Sequence, residues 1–233
     1  MKSAMASRPS PNFDERPEGA PVDVLVLHYT GMKTAAEAIE RLCDPAAKVS
    51  AHYLIDEAGE VTAMVAEEKR AWHAGQSFWR GERNVNGRSI GVELVNPGHE
   101  FGYRDFPAAQ MTALRGLTRA ILARHPIPAR NVVGHSDVAP ARKTDPGERF
   151  DWAGFAADGI GLWPGDAPAA NIPPARVIDM LARYGYDTAD GRAAVAAFQR
   201  HFRPARIDGI ADADTAGRLA ALLTLCELKR PSA

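Results

Sequence analysis

The stretch "VDVLVLHYT", residues 22–30, decides how the chain folds. Its centre is a short unbroken apolar run, far from the roughly 18 residues a membrane span needs, and it reads as a buried strand. Elements of both kinds follow it. "TAAEAIERL" (34–42) suits a helix. "SAHYLID" (50–56) and "EVTAMV" (60–65), either side of a turn at 57–59, read as a hairpin. "RSIGVELV" (88–95) is a further strand, and "NVVGH" (131–135) another. Between them, residues 107–125 predict the longest helix of this half. Pro107 suits its first turn, and Met111, Leu114, Leu117, Ile121 and Leu122 recur at helical spacing. Strands alternating with helices predict an α/β domain, a central mixed β-sheet flanked by helices, over residues 22–160.

The flanks differ from this middle. Residues 1–21 are Pro-rich and polar and read as an extended leader. Near residue 161 the stretch "GLWPGDAPAANIPPAR" begins, and 161–171 reads as a linker. Residues 172–233 predict a small all-α domain of three helices, with faces Val177, Met180, Leu181 and Tyr184, then Val195, Phe198 and Phe202, then Leu219, Leu222 and Leu223. Asp190 and Asp212 stand where N-caps belong, and Asp208-Gly209 marks a turn. We expect this tail to be separable, so that truncation after residue 160 leaves the chemistry of the first domain intact.

Composition narrows the function classes. With 45% apolar and 24% charged residues and a net charge of −1, nothing points to nucleic acid or an anionic membrane surface as partner. No transmembrane segment is expected. Cys43 and Cys226 fit neither a metal nor a redox spacing and read as two buried thiols. The start, "MKSAMASRPSPNFDERP", has no apolar signal region, which predicts a cytoplasmic location; a signal upstream of Met1 would change that to periplasmic or outer-membrane lipoprotein, and a monomer is expected.

Chemistry gathers at strand ends. His28 ends the first strand, His135 ends the last, and Asp145 follows ten residues on in "GHSDVAPARKTDPG" (134–147). Two imidazoles and a carboxylate, with a fourth position open, make the catalytic form of a zinc site. A histidine at a strand end serves equally as a hydrogen-bonded structural residue, and spacing alone leaves both readings open.

"VLHYT", "SAHYLID", "RAWHAG", "SIGVELVN" and "GHSDVAPARKTDPG" occur in that order. Together they resemble the zinc-dependent N-acetylmuramoyl-L-alanine amidases of the type-2 amidase family, relatives of the peptidoglycan recognition proteins. The likeness covers roughly residues 9–156. "GRAAVAAFQRHF" and "DGIADADTAGRLAAL" resemble, more loosely, the peptidoglycan-binding helical module that often accompanies such enzymes. The resemblance implies that His28, His135 and Asp145 hold Zn2+, that Glu93 takes the proton of the attacking water, and that Lys143 stabilises the oxyanion. It places the chain with the bacterial amidases, since Ala51 stands where the phage and receptor branch tends to carry Tyr, and Glu93 is present. It implies hydrolysis of the bond between N-acetylmuramic acid and L-alanine in muropeptides during cell-wall recycling, with the 1,6-anhydro form left open.

Around this set, Trp72, His73, Asn86 and Asn96 are candidate substrate contacts, each with an equally ordinary packing or turn-capping role. His52 reads as a core residue, and His99, His125 and His201 as surface residues. The chief rival is a non-catalytic peptidoglycan-recognition protein, which usually lacks a zinc ligand. A peptidase cutting the stem peptide is weaker, because no "HExxH" helix signature is present.

Overall fold

The computed structural model describes residues 5–228. In chain order its elements are β1 (Ala6–Ser7), β2 (Phe13–Glu15), β3 (Val24–Tyr29), α1 (Ala35–Cys43), β4 (Tyr53–Ile55), β5 (Val61–Ala63), β6 (Lys69–Ala71), β7 (Ser89–Leu94), α2 (Gly98–Phe101), α3 (Ala108–Arg124), β8 (Val132–Gly134), α4 (His135–Val138), α5 (Trp152–Ala157), α6 (Pro174–Tyr184), α7 (Gly191–Phe202) and α8 (Ala213–Leu228). Six strands form one mixed sheet in the order β1-β5-β4-β7-β3-β8, in which only the β4–β5 hairpin is antiparallel. β2 and β6 pair in a separate antiparallel ribbon. This is the mixed sheet with flanking helices that the alternating pattern predicts. No helix among the described residues is long and apolar enough to cross a membrane.

β3 lies inside the sheet, between β7 and β8, and is covered on both faces. Side chains alternate along a strand, so its apolar run divides in two. Leu25 and Leu27 meet Met111, Leu114 and Ile121 of α3. Val24 and Val26 point the other way and share a core with Val133, Val177, Leu181, Phe198 and Leu219. α1 covers a further part of that second face through Ala38 and Leu42, packed on Leu54. The register sets Leu54, Glu93 and His28 side by side there, so the chemistry-bearing residues lie on the face shared by α1 and the helical tail.

Three expectations change. The tail forms three helices with the predicted buried faces, and Asp190 caps α7 by accepting from the Ala193 N–H at 3.0 Å. Yet its apolar faces close over the second face of the sheet in one continuous core, so it is not separable: truncation after residue 160 would bare Val24, Val26 and Val133. Apolar spacing shows that a helix has a buried face but not what covers it. The leader is extended but not idle. β1 and β2 pair with later strands, Asn12 is buried and donates to the Asp44 and Val49 carbonyls, and the Arg16 guanidinium donates to the carbonyls of Glu67, Asn86, Gly87 and Ser89. Those polar side chains find partners far away in sequence, which composition does not register. Finally, Cys43 and Cys226 are each partly exposed rather than buried; Cys43 is the last residue of α1, where the helix leaves its packing.

Candidate active site

The loop after β8 is built to bring its two ends together. Gly134 precedes α4, and a Cβ on it would stand 2.7 Å from the Pro146 ring, so only glycine lets the returning chain pass. The Asp137 carboxylate caps α4 by accepting from the Gly134 N–H at 2.7 Å. Arg142 and Lys143 both donate their N–H to the Ala139 carbonyl, which turns the chain back, and the Ser136 N–H then reaches the Asp145 carbonyl at 2.9 Å. His135 and Asp145, ten residues apart, thereby become neighbours at the end of β3.

His28 Nδ1, His135 Nδ1 and Asp145 Oδ2 form a triangle with each side 3.0 Å. All three residues are buried. The outer nitrogens are partnered as well. His135 Nε2 faces the Ala74 carbonyl at 3.0 Å, which only accepts, so the proton sits on Nε2 and the Nδ1 lone pair faces inward. His28 Nε2 lies 3.0 Å from His73 Nδ1, and His73 Nε2 lies 3.0 Å from Ser89 Oγ; with His28 Nε2 as the donor, its Nδ1 lone pair also faces inward. Burial pushes the His28 imidazolium down to about 4, reinforced by His135 and opposed by Asp145, so the ring is neutral at neutral pH. Burial by itself raises the Asp145 carboxyl, but the two histidines outweigh it and hold the group well below the usual carboxylate range. Two imidazoles and a carboxylate around one point are a metal-capable donor set. The geometry fits a small transition-metal cation. The corners of such a triangle lie about 1.7 Å from its centre, and zinc bonds to nitrogen and oxygen measure about 2.0–2.2 Å. His28, His135 and Asp145 would hold such an ion, which would supply Lewis acidity there.

Glu93 adjoins this triangle on β7, in register with His28. Its Oε2 is buried without a hydrogen-bond partner among the described residues. Burial pushes its carboxyl up to about 8, with the Asp145 charge adding to the rise and Lys143 opposing it. A bound cation beside it would favour the carboxylate. Lys143 lines the same cleft, and among the described residues its ammonium makes no ion pair or hydrogen bond, so it is free to meet charge on a ligand. Trp72 and His73 also line this cavity of about 400 Å³. A larger hollow of about 960 Å³ adjoins it beyond Arg142, which borders both.

Not all of the candidate residues gather here. The Trp72 ring is held by its indole N–H, which donates to Asp14 at 2.7 Å, and it forms cleft wall. His73 is committed to His28 and Ser89. It fills the space over Gly91, where a Cβ would come within 2.4 Å of the imidazole. It is therefore a support for His28 first and a cleft surface second. Asn86 and Asn96 are corrections. Asn86 is buried and accepts from the His73 and Ala74 N–H groups. Asn96 is buried, donating to the Arg104 carbonyl and accepting from the Gly98 N–H. Both brace loops and neither lines the cleft. His52 is a core residue, as expected, accepting from the Gly91 N–H at 2.9 Å. His201 is not on the surface: it is 4% exposed and hydrogen-bonded to Asp137. Tyr29 and Thr144, next to His28 and Asp145 in the sequence, also reach the site without having been expected there. Their hydroxyls pair at 3.0 Å on the cleft rim.

Comparison with known proteins agrees with this geometry. The N-acetylmuramoyl-L-alanine amidase family matches residues 18–148, a span that holds His28, Glu93, His135, Lys143 and Asp145. The N-acetylmuramoyl-L-alanine amidase AmiD of Escherichia coli strain K12 is 39% identical over 230 residues, covering 87% of this chain and 82% of its own. The 1,6-anhydro-N-acetylmuramyl-L-alanine amidase AmpD of Citrobacter freundii is 39% identical over 166 residues, covering 64% of this chain and 87% of its own. Among solved structures, AmiD in complex with anhydro-N-acetylmuramic acid-L-Ala-D-gamma-Glu-L-Lys superposes with a TM-score of 0.81 at 36% identity, over 92% of this chain and 98% of that one. The strand-end triad, the neighbouring Glu93 and Lys143, and these matches agree, and the chain belongs to the N-acetylmuramoyl-L-alanine amidase family.

Proposed function

We propose that this protein hydrolyses the amide between N-acetylmuramic acid and the L-alanine of the stem peptide, using Zn2+ held by His28, His135 and Asp145, and that its substrates are anhydromuramyl peptides released in cell-wall turnover. The observation that carries the reading is the inward-facing triangle of two imidazole nitrogens and one carboxylate oxygen, with Glu93 and Lys143 beside it. Support for the substrate class comes from AmiD, solved with an anhydromuramyl tripeptide.

Zinc supplies Lewis acidity at such a site, activating water and polarising the scissile carbonyl. The rest is done by the chain. His73 and the Ala74 carbonyl hold the two ligand imidazoles in the tautomer that binds metal. Glu93 takes a proton from the attacking water as the C–O bond forms, then delivers it to the alanine nitrogen as the C–N bond breaks. The products are a free lactyl carboxylate on the sugar and a peptide with a free amino terminus. Lys143 balances the negative charge on the tetrahedral carbon's oxygen. A partly buried acid beside an unpaired lysine also argues against the recognition-only rival, because ligand binding alone has no need of a proton acceptor at the metal site.

Product analysis tests the reading. Incubation with anhydro-N-acetylmuramyl tripeptide should release the anhydro sugar acid and an intact tripeptide. A cut within the peptide would assign a peptidase, and recovery of uncut substrate after saturable binding would assign a receptor.

A further inference from the structure

The fold leaves one buried carboxylate with more work than a helix cap requires. Asp137 is 1% exposed and is the third residue of α4, the short helix that His135 begins. Its Oδ2 accepts from the Gly134 N–H at 2.7 Å and from His201 Nδ1 at 2.7 Å, and its Oδ1 accepts from the Tyr186 hydroxyl at 2.6 Å. Two of these three donors belong to the tail: His201 lies on α7, and Tyr186 follows α6. The His201 ring also stacks on Trp152 at the start of α5, with centroids 3.7 Å apart and planes 19° apart. Phe198 and Phe202, the aromatic side chains of α7, are 0% and 1% exposed, turned into the shared core rather than offered to a ligand.

We propose that the helical tail is a positioning element of the catalytic loop, acting through His201 and Tyr186 on Asp137 and so on the metal ligand His135. The inference rests on the reading of His135 as a ligand. A buried carboxylate is stable only when its acceptor sites are filled. Without the two tail donors, Asp137 would turn toward water and release the Gly134 N–H, the cap at which α4 starts. The His135 ring would then keep its bond to the Ala74 carbonyl as the remaining tether outside the metal triangle. Loss of such outer support typically weakens metal binding about 10–100-fold.

The test uses the full chain with zinc as the probe. Tyr186→Phe removes only a hydroxyl. His201→Phe keeps an aromatic ring against Trp152 but removes the donor. His201→Asn does the reverse, placing an amide N–H near the Nδ1 position while giving up the stack. For each variant, the zinc dissociation constant is measured by chelator competition and the melting temperature on the metal-free chain. We expect Tyr186→Phe/His201→Phe to bind zinc about 10–100-fold more weakly. His201→Asn should stay within a few-fold of wild type although its melting temperature falls. A tail that acts by packing alone would give the opposite order. Wild-type zinc affinity in the folded double variant overturns the proposal; if the double variant does not fold, unchanged affinity in Tyr186→Phe overturns it. A wild-type chain that binds no zinc fails earlier, at the amidase reading itself, so the two failures are told apart.

Discussion

On one face of the central sheet, Leu25, Leu27, Ile90, Val92 and Leu94 meet α3 and α5 in a largely apolar layer. One residue along the same strands, His28, Ser89, Gly91 and Glu93 face the other way into a group of buried histidines. Because the strand period is two, stability and chemistry alternate along single strands. The dry face gains free energy from every methylene it buries. The polar face carries desolvated imidazoles and an orphaned carboxylate oxygen, which cost stability unless a cation and its supports satisfy them. The site is thus held in place by the face that takes no part in it, together with the helical tail.

Substitutions at adjacent residues of β3 separate the two faces most strongly. His28→Ala should abolish zinc binding and reduce turnover below detection, while leaving the apolar layer intact. Leu27→Ala, the adjacent residue on the other face, should cost about 2–5 kcal/mol of unfolding free energy. Its folded molecules should keep full zinc and near wild-type kcat. Metal analysis, denaturant unfolding and single-substrate kinetics on both proteins check this, and loss of zinc from folded Leu27→Ala would show that the faces are not independent.

A smaller effect separates the cleft from the ligands. Lys143→Met keeps the aliphatic stem and removes the charge, so kcat should fall by about 10²–10³ with zinc content unchanged. Equal losses of kcat and zinc would make the lysine a support of the loop instead.

The smallest effect is on stability of the metal-free chain. Glu93 has its carboxyl raised from 4.5 to about 8, first by burial and then by Asp145. The folded state therefore binds this proton more tightly than the unfolded state, and the metal-free chain loses stability as pH rises from about 4.5 through 8. Glu93→Gln removes that loss. The difference in melting temperature, variant minus wild type, should grow across this interval and level off above it. A flat difference would mean that the polar face does not penalise the carboxylate.

Much of the site was legible because its chemistry lies in local motifs. "VLHYT", "SIGVELVN" and "GHSDVAPARKTDPG" carry His28, Glu93, His135, Lys143 and Asp145, and the fold brings them together. The illegible part is long-range. Asn86 and Asn96 carry the same local signal whether they meet a ligand or a backbone N–H, and their partners at His73, Ala74 and Arg104 decide the matter. His201 read as a surface residue because the apolar spacing of α7 reports one buried face. His201 is buried against Asp137 and Trp152, which lie 64 and 49 residues away. The leader's role as a brace was hidden for the same reason: its partners are carbonyls, which no sequence pattern marks.

The central claim is that the triangle holds the metal and Glu93 performs the proton transfer. Zinc content and turnover of anhydromuramyl tripeptide, measured on the same preparation of Glu93→Gln, test it most directly. We expect one zinc per chain and a kcat lower by two decades or more. Near wild-type kcat with full zinc would assign the base to another group, and loss of zinc together with activity would place Glu93 among the ligands; either result contradicts the division of roles.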